Sequence, residues 1–408
     1  MTLEQQQQLE ETYVMHTFGR KPVEFVRGEG MRLWDDEGNE YLDFLSGIGV
    51  VSLGHCHPAL VEALQDQVAT LMHVSNYFYI EGRGQLSERL SNLLKQNLSC
   101  AHADDWQTFY ANSGAEANEC AIKLAHLYAR RKADAAGKKD APRLIVVLEG
   151  SFHGRTVMTL AATAQPVKQE LFQPLPEGFV PTPINDVAAL ERLFAEKGDQ
   201  ICGMLLEPVQ GERGVYPCTE EFLQAARRLT KERDAVLIFD EVQCGMYRCG
   251  TPFAFQQFDV MPDIVTMAKG IGGGVPMGAC SARKRVAQAF EPGTHGTTFG
   301  GSCLAVVAAN TVLDTVEAEG IAENVEEVGA YLREQLATLP HVKEVRGLGL
   351  MDAVEFDDTV DAPAIVLAAL AEGLVLNAPS AHTLRFLPPL ICTKEDVDTL
   401  IERLKKLL

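Results

Sequence analysis

The sequence predicts an α/β protein: a large domain on a mostly parallel sheet, with a smaller α+β domain assembled from both termini. Two observations carry this reading. Short apolar runs at 108–111, 144–148, 201–206, 235–239 and 264–268 alternate with amphipathic stretches such as 116–132 and 220–230, the pattern of βαβ units. The runs are apolar throughout, so helices are expected on both faces of the sheet. Each run is then followed at once by polar or glycine-rich residues: Asn112-Ser113-Gly114-Ala115, Glu149-Gly150-Ser151-Phe152-His153-Gly154-Arg155, Glu207-Pro208-Val209-Gln210-Gly211, Asp240-Glu241 and Lys269. In a parallel sheet these segments share the carboxyl edge, where open α/β folds bind ligands. One such loop is ordinary turn chemistry, but five at corresponding edges predict a site.

The flanks read differently. Residues 1–55 carry a short helix signal and then Val23-Glu24-Phe25-Val26-Arg27-Gly28-Glu29-Gly30 and Arg32-Leu33-Trp34-Asp35, which suggest hairpin strands around turns. The large domain is expected over 56–303. Residues 304–408 open with two long helical patterns and contain a strand near Leu384-Arg385-Phe386. The chain ends in a helix announced by Thr393-x-x-Asp396, with Val397, Leu400, Ile401 and Leu404 on one face and lysines in the last turn. No repeat is evident, and Gln5 to Gln8 is the only low-complexity patch.

Composition narrows the function classes. A chain of 408 residues, 46% apolar, has ample material for more than one domain. Its net charge of −20 disfavours nucleic acid or an anionic membrane as partner, since both call for a basic face. A site for acidic substrates must then be made locally, from a few arginines. The first residues lack the charged and apolar regions of a targeting signal, and no run is long enough to span a bilayer, so cytoplasm is the expected location. The ten cysteines are scattered singly, as Cys120, Cys202 and Cys280 are, and read as reduced thiols. His55-Cys56-His57 lacks a second ligand pair at metal spacing, so no metal is expected.

Lys269 closes one apolar run and opens Gly270-Ile271-Gly272-Gly273-Gly274, while Asp240 closes another. An amine and a carboxylate at neighbouring strand ends suit a pyridoxal-phosphate enzyme, in which the amine forms a Schiff base and the carboxylate holds the pyridinium proton. Ser113-Gly114-Ala115-Glu116-Ala117-Asn118 follows a strand and opens a helix. Its free backbone N–H groups would serve as a cup for the phosphate.

These motifs together resemble the class III (ornithine-type) pyridoxal-phosphate aminotransferases: Ser-Gly-Ala-Glu-Ala-Asn, Phe-His-Gly-Arg, Glu-Pro-Val-Gln-Gly-Glu, Asp-Glu-Val-Gln and Ala-Lys-Gly in this order. The resemblance runs from about residue 18 to the C-terminus. Within the family the chain is most similar to the acetylornithine branch, through Arg27-Gly28-Glu29-Gly30, Leu53-Gly54-His55-Cys56-His57-Pro58, His295-Gly296-Thr297-Thr298-Phe299-Gly300-Gly301 and Gly347-Leu348-Gly349-Leu350. The resemblance implies the fold-type I architecture and a homodimer with shared active sites. It also implies transfer of the terminal amino group of N2-acetyl-L-ornithine to 2-oxoglutarate, a step of arginine biosynthesis. Ornithine, succinylornithine and 4-aminobutyrate are the alternative donors, and an aminomutase or decarboxylase of the same fold is the alternative chemistry.

Residue roles follow from the same resemblance. Lys269 would hold the cofactor and shuttle a proton, and Asp240 would pair with the ring nitrogen. Gln243 would bond the phenolic oxygen, with Val242 and Phe152 on the two ring faces. Thr298 would reach the phosphate of the partner subunit and Thr297 would lie near that subunit's substrate. Arg155 would bind the distal carboxylate common to both substrates. A transaminase of this type must accept a methylene from one substrate and a carboxylate from the other beside the reacting carbon. The resemblance assigns that task to Arg385, covered by Glu207 when no carboxylate is present. The chain departs from the family pattern at Gly300-Gly301-Ser302-Cys303 and at Cys244-Gly245-Met246-Tyr247-Arg248-Cys249. Phe18 replaces a tyrosine that helps ornithine enzymes recognise a free α-amine, which favours an acylated donor. The sequence lacks Gly-x4-Gly-Lys-Ser/Thr and Gly-x-Gly-x-x-Gly, so a nucleotide-binding module is not expected.

Overall fold

A computed structural model of the chain describes residues 2–98 and 105–408. Its largest sheet has seven strands in the spatial order Trp106–Ala111, Gly278–Arg283, Ile264–Ala268, Val236–Asp240, Ile201–Leu206, Leu144–Leu148 and Phe179–Thr182. Gly278–Arg283 runs antiparallel to both neighbours, and the remaining pairs are parallel. All five expected runs are strands of this sheet. The two strands not anticipated have weak signals: Phe179–Thr182 contains Pro181, which an edge strand tolerates, and Gly278–Arg283 is made of small residues.

Strand alternation divides the core between the two sheet faces. Ile145, Val147, Val236 and Ile238 pack with Ala121, Leu124 and Ala125 of the helix Gly114–Ala135. Val146, Leu148, Leu237 and Phe239 pack on the opposite side with Phe222, Leu223 and Leu229 of the helix Glu220–Glu232. Both faces are covered, which is why the runs carry no polar alternation.

The two ends of the chain meet. Phe25–Glu29 and Arg32–Asp35 form the expected hairpin, and Glu40–Asp43 extends it. Leu374–Val375 from the far end then adds in parallel to Glu40–Asp43. Met31, Leu42 and Phe44 share a core with Val325, Leu332, Leu374, Phe386 and Leu400. A separate antiparallel sheet, in the order Val342–Leu348, Met351–Phe356, Thr383–Phe386 and Asn377–Ser380, carries Arg385. The last helix, Lys394–Lys405, begins with the expected capping box: Asp396 N donates to Thr393 Oγ1 and Thr393 N to Asp396 Oδ2. Among the described residues no helix is long and apolar enough to cross a membrane, and no group of His, Cys, Asp and Glu has the geometry of a metal site.

Candidate active site

The five predicted loops converge. A cavity of about 470 Å³ at the carboxyl edge of the sheet is lined by Asn112, Ser113, Gly114 and Ala115 from the first loop and by Phe152, His153, Gly154 and Arg155 from the second. Glu207 and Glu212 come from the third, Asp240, Val242 and Gln243 from the fourth, and Lys269 from the fifth.

At one wall the helix Gly114–Ala135 begins. Ser113 caps it, its Oγ accepting from Glu116 N at 3.2 Å, which leaves the first-turn N–H groups of Gly114 and Ala115 toward the cavity without helical partners. Gly114 also permits close packing, since a Cβ there would lie 2.7 Å from Val242 Cγ1. Lys269 follows the strand Ile264–Ala268 in a left-handed conformation, φ 50°, a backbone strain typical of functional positions. Burial lowers the pKa of its amine, outweighing the nearby Glu212 carboxylate.

Asp240 forms the floor and is almost wholly buried. Its Oδ1 accepts from Val242 N at 3.0 Å, and its Oδ2 accepts from Asn118 Nδ2 at 2.7 Å and faces His153 Nδ1 at 2.8 Å. Asn118 is in turn held by Thr266 Oγ1, which donates to its Oδ1 at 2.7 Å. The sequence signals for these supports were present but unassigned. Asn118 is an amide in the apolar stripe of a helix, and His153 sits inside the Phe-His-Gly-Arg motif.

Glu207 and Arg385 are not partners. Glu207 Oε2 accepts from Phe152 N at 3.0 Å and its Oε1 from Gly211 N at 3.5 Å, so this carboxylate braces two loops. Burial raises it to about 7, against the pull of His153. The carboxylate on Arg385 is that of Glu212, whose Oε1 accepts from Arg385 Nη1 at 2.7 Å. Burial would raise Glu212, but the guanidinium prevails and holds it at about 2. The expected cover is therefore corrected by five positions: Glu207 directly follows the strand Ile201–Leu206 and is taken up by Phe152 N and Gly211 N, whereas Glu212 lies past the turn at Gly211 and reaches the antiparallel sheet. Glycine is required at that turn, because a Cβ on Gly211 would fall 1.8 Å from Gln243 Oε1. Gln243 joins the same group, donating from Nε2 to Glu212 at 3.3 Å and accepting from Arg385 Nη1 at 3.0 Å. Glu212 lines the cavity and Arg385, 1% exposed, does not.

Phe152 and Val242 both line the cavity, and Arg155 sits at its rim, its guanidinium 5.5 Å from the Phe152 ring. Thr297 and Thr298 are elsewhere in this chain, on a surface cavity with Tyr77, Tyr79 and His295. Thr297 connects to the site through Asn112, whose Nδ2 donates to its Oγ1 at 3.3 Å. Phe18 is exposed beside the helix Leu3–Tyr13 and does not line the site.

Comparison with known proteins agrees with the geometry. The family model Aminotransferase class-III matches residues 15–408. An acetylornithine aminotransferase of Caldanaerobacter subterraneus is 45% identical, over 98% of each chain. Among solved structures, the acetylornithine aminotransferase of Elizabethkingia anophelis superposes with a TM-score of 0.85 at 32% identity, covering all of this chain and 98% of the other. The ornithine aminotransferase of Toxoplasma gondii superposes with a TM-score of 0.91 at 31% identity, over 100% of this chain and 94% of the other. A lysine and a carboxylate at adjacent strand ends, a helix N-terminus opposite them and a match along nearly the whole chain make this protein an aminotransferase, a member of the class III family.

Proposed function

We propose that this enzyme uses pyridoxal 5'-phosphate to move the terminal amino group of N2-acetyl-L-ornithine to 2-oxoglutarate, giving N-acetyl-L-glutamate 5-semialdehyde and L-glutamate, as part of arginine biosynthesis. The observation that carries the reading is the Glu212–Arg385 pair beside the Lys269 cavity. The names of the similar curated enzymes point the same way.

The residues present fit the cofactor. The uncapped N–H groups of Gly114 and Ala115 suit a phosphate, the buried Asp240 carboxylate suits a protonated ring nitrogen, and the cavity is of cofactor size. When bound, pyridoxal phosphate supplies an electrophilic carbon and a ring that accepts the electrons of a carbanion. The chain does the rest. Lys269 would hold the cofactor through Nζ, and burial lowers the pKa of that amine, which favours the neutral form able to accept a proton. Asp240, fixed in place by hydrogen bonds from Val242 and Asn118, would hold the proton on the ring nitrogen. Val242, Phe152 and Gln243 line the same cavity; the first two would confine the ring and Gln243 would bond its phenolic oxygen.

Arg155 takes the distal carboxylate that donor and acceptor share. Glu212 covers Arg385 while the donor presents a methylene there. It yields its place when 2-oxoglutarate brings a carboxylate. Glu207 lines the substrate side as a brace between loops. The reading includes a homodimer in which Thr297 and Thr298 serve the partner's site; exposed Tyr77, Tyr79 and Phe299 around those threonines support it. It includes the division at 55 and 303, supported by the shared core of the two chain ends, and a cytoplasmic location, supported by free and mostly buried cysteines among the described residues.

The test is spectroscopic. The purified holoenzyme is mixed separately with N-acetylornithine, ornithine, succinylornithine and 4-aminobutyrate, without a keto acid, and the cofactor absorbance is followed. The fastest change is expected with N-acetylornithine. A faster response to another amine would reassign the donor, and no response to any amine would remove the reading.

A further inference from the structure

Among the described residues the Arg385 guanidinium has three side-chain partners, of which one is charged. Nη1 is shared by the Glu212 carboxylate and the Gln243 amide oxygen. The opposite edge, Nε and Nη2, donates to a single atom, Asn377 Oδ1, at 3.1 and 2.9 Å. Asn377 and Arg385 face each other across two antiparallel strands, in direct register. The arrangement is thus rigid on the asparagine side and loop-borne on the glutamate side.

From this geometry we infer that Asn377 is a specificity-determining positioning residue: a neutral acceptor that fixes Arg385 without cancelling its charge. The inference rests on the proposed exchange of Glu212 for a substrate carboxylate. An aspartate at 377 would accept the same two hydrogen bonds, yet would neutralise the guanidinium permanently. Glu212 would then be held less firmly, and an incoming carboxylate would meet a cation already paired. An amide oxygen orients the fork and leaves its full charge to whichever carboxylate occupies Nη1. Hence the residue type at 377 sets the balance between the two half-reactions, although Asn377 need not touch either substrate.

The experiment compares Asn377→Asp, Asn377→Ala and Arg385→Gln holoenzymes. Binding of glutarate, a dicarboxylate that cannot react, is measured by calorimetry, and the rate of each half-reaction by the cofactor absorbance. Thermal unfolding midpoints check that the variants fold. Asn377→Asp is expected to weaken glutarate about ten- to hundredfold and slow the 2-oxoglutarate half-reaction in proportion, with the amine half-reaction within about threefold of the parent. Asn377→Ala, which frees the arginine but keeps its charge, is expected to weaken glutarate less than Asn377→Asp does. A purely structural role predicts the reverse order, because aspartate keeps the hydrogen bonds that alanine removes, and that order would overturn the inference. If Arg385→Gln weakens glutarate but Asn377→Asp does not, the inference alone fails. If Arg385→Gln leaves glutarate binding unchanged, the carboxylate-exchange reading fails with it.

Discussion

The two ends of the cavity are built on opposite plans. At the Asp240 end the carboxylate is tied to fixed structure: to a backbone N–H, to a helix amide and to an imidazole, and the amide in turn to a strand hydroxyl. At the Arg385 end a buried guanidinium is balanced by a carboxylate on a loop. The two glutamates of that loop make the same contrast. Burial dominates Glu207 and raises it to about 7, while Arg385 overcomes burial at Glu212 and holds it at about 2. Under the proposed function, the preorganised Asp240 end would meet the same group in both half-reactions, whereas the Arg385 end would meet two different groups and so keeps one exchangeable contact.

The largest effect is expected where the rigid end meets chemistry. Lys269→Ala should lower turnover by about 10²–10⁴-fold or more in both half-reactions alike, measured by single-turnover absorbance. Near-normal rates would remove the assigned role. Asp240→Asn, which keeps the shape and loses the charge, should also slow both halves, by a smaller factor. A loss confined to one half would erase the distinction between the two ends.

Glu212→Gln should split the half-reactions. With Arg385 no longer covered by a charge, the N-acetylornithine half should fall about tenfold or more, and the L-glutamate half much less. Glu207→Gln should show no such split, because Glu207 does not touch Arg385. Equal losses in Glu212→Gln would argue against carboxylate exchange.

Stability against pH sharpens the contrast between the same two residues. Glu212 is depressed below its ordinary 4.5, so its contribution is present above 4.5 and is lost as pH falls toward about 2. Glu207 is raised, so its effect has the opposite sign: stability is lost as pH rises from 4.5 through about 7. Denaturant midpoints should therefore become less acid-sensitive in Glu212→Gln and less sensitive between pH 4.5 and 7 in Glu207→Gln. Matching profiles for the two variants would contradict the opposite environments. The smallest effect serves as a control outside both ends. Thr393→Ala, which opens the capping box of the last helix, should cost about 1 kcal/mol of stability and leave the ratio of half-reaction rates unchanged.

Much of this was legible in the residues because it depends on local order. Apolar runs of this kind had to be strands of a sheet covered by helices, and their carboxyl ends carried Ser113, Phe152, Glu207, Asp240 and Lys269 into one place. A parallel sheet brings such ends together whatever their separation along the chain. The Thr393 cap was equally visible, since three residues decide it. The strand Gly278–Arg283 was hidden because small residues give no periodic signal, and it became a strand only by pairing on both sides.

What the sequence alone determined is the chemistry at hand: a lysine and a carboxylate at strand ends, a helix start with free N–H groups, and the arginines of two motifs. What only the tertiary structure decided is who pairs with whom. Glu207 and Glu212 are the same residue type, five positions apart in one loop, and no spacing rule tells which one meets Arg385 some 170 residues later. That choice depends on how the turn at Gly211 and the register of the antiparallel sheet meet in space, within the few ångströms over which a charged hydrogen bond acts.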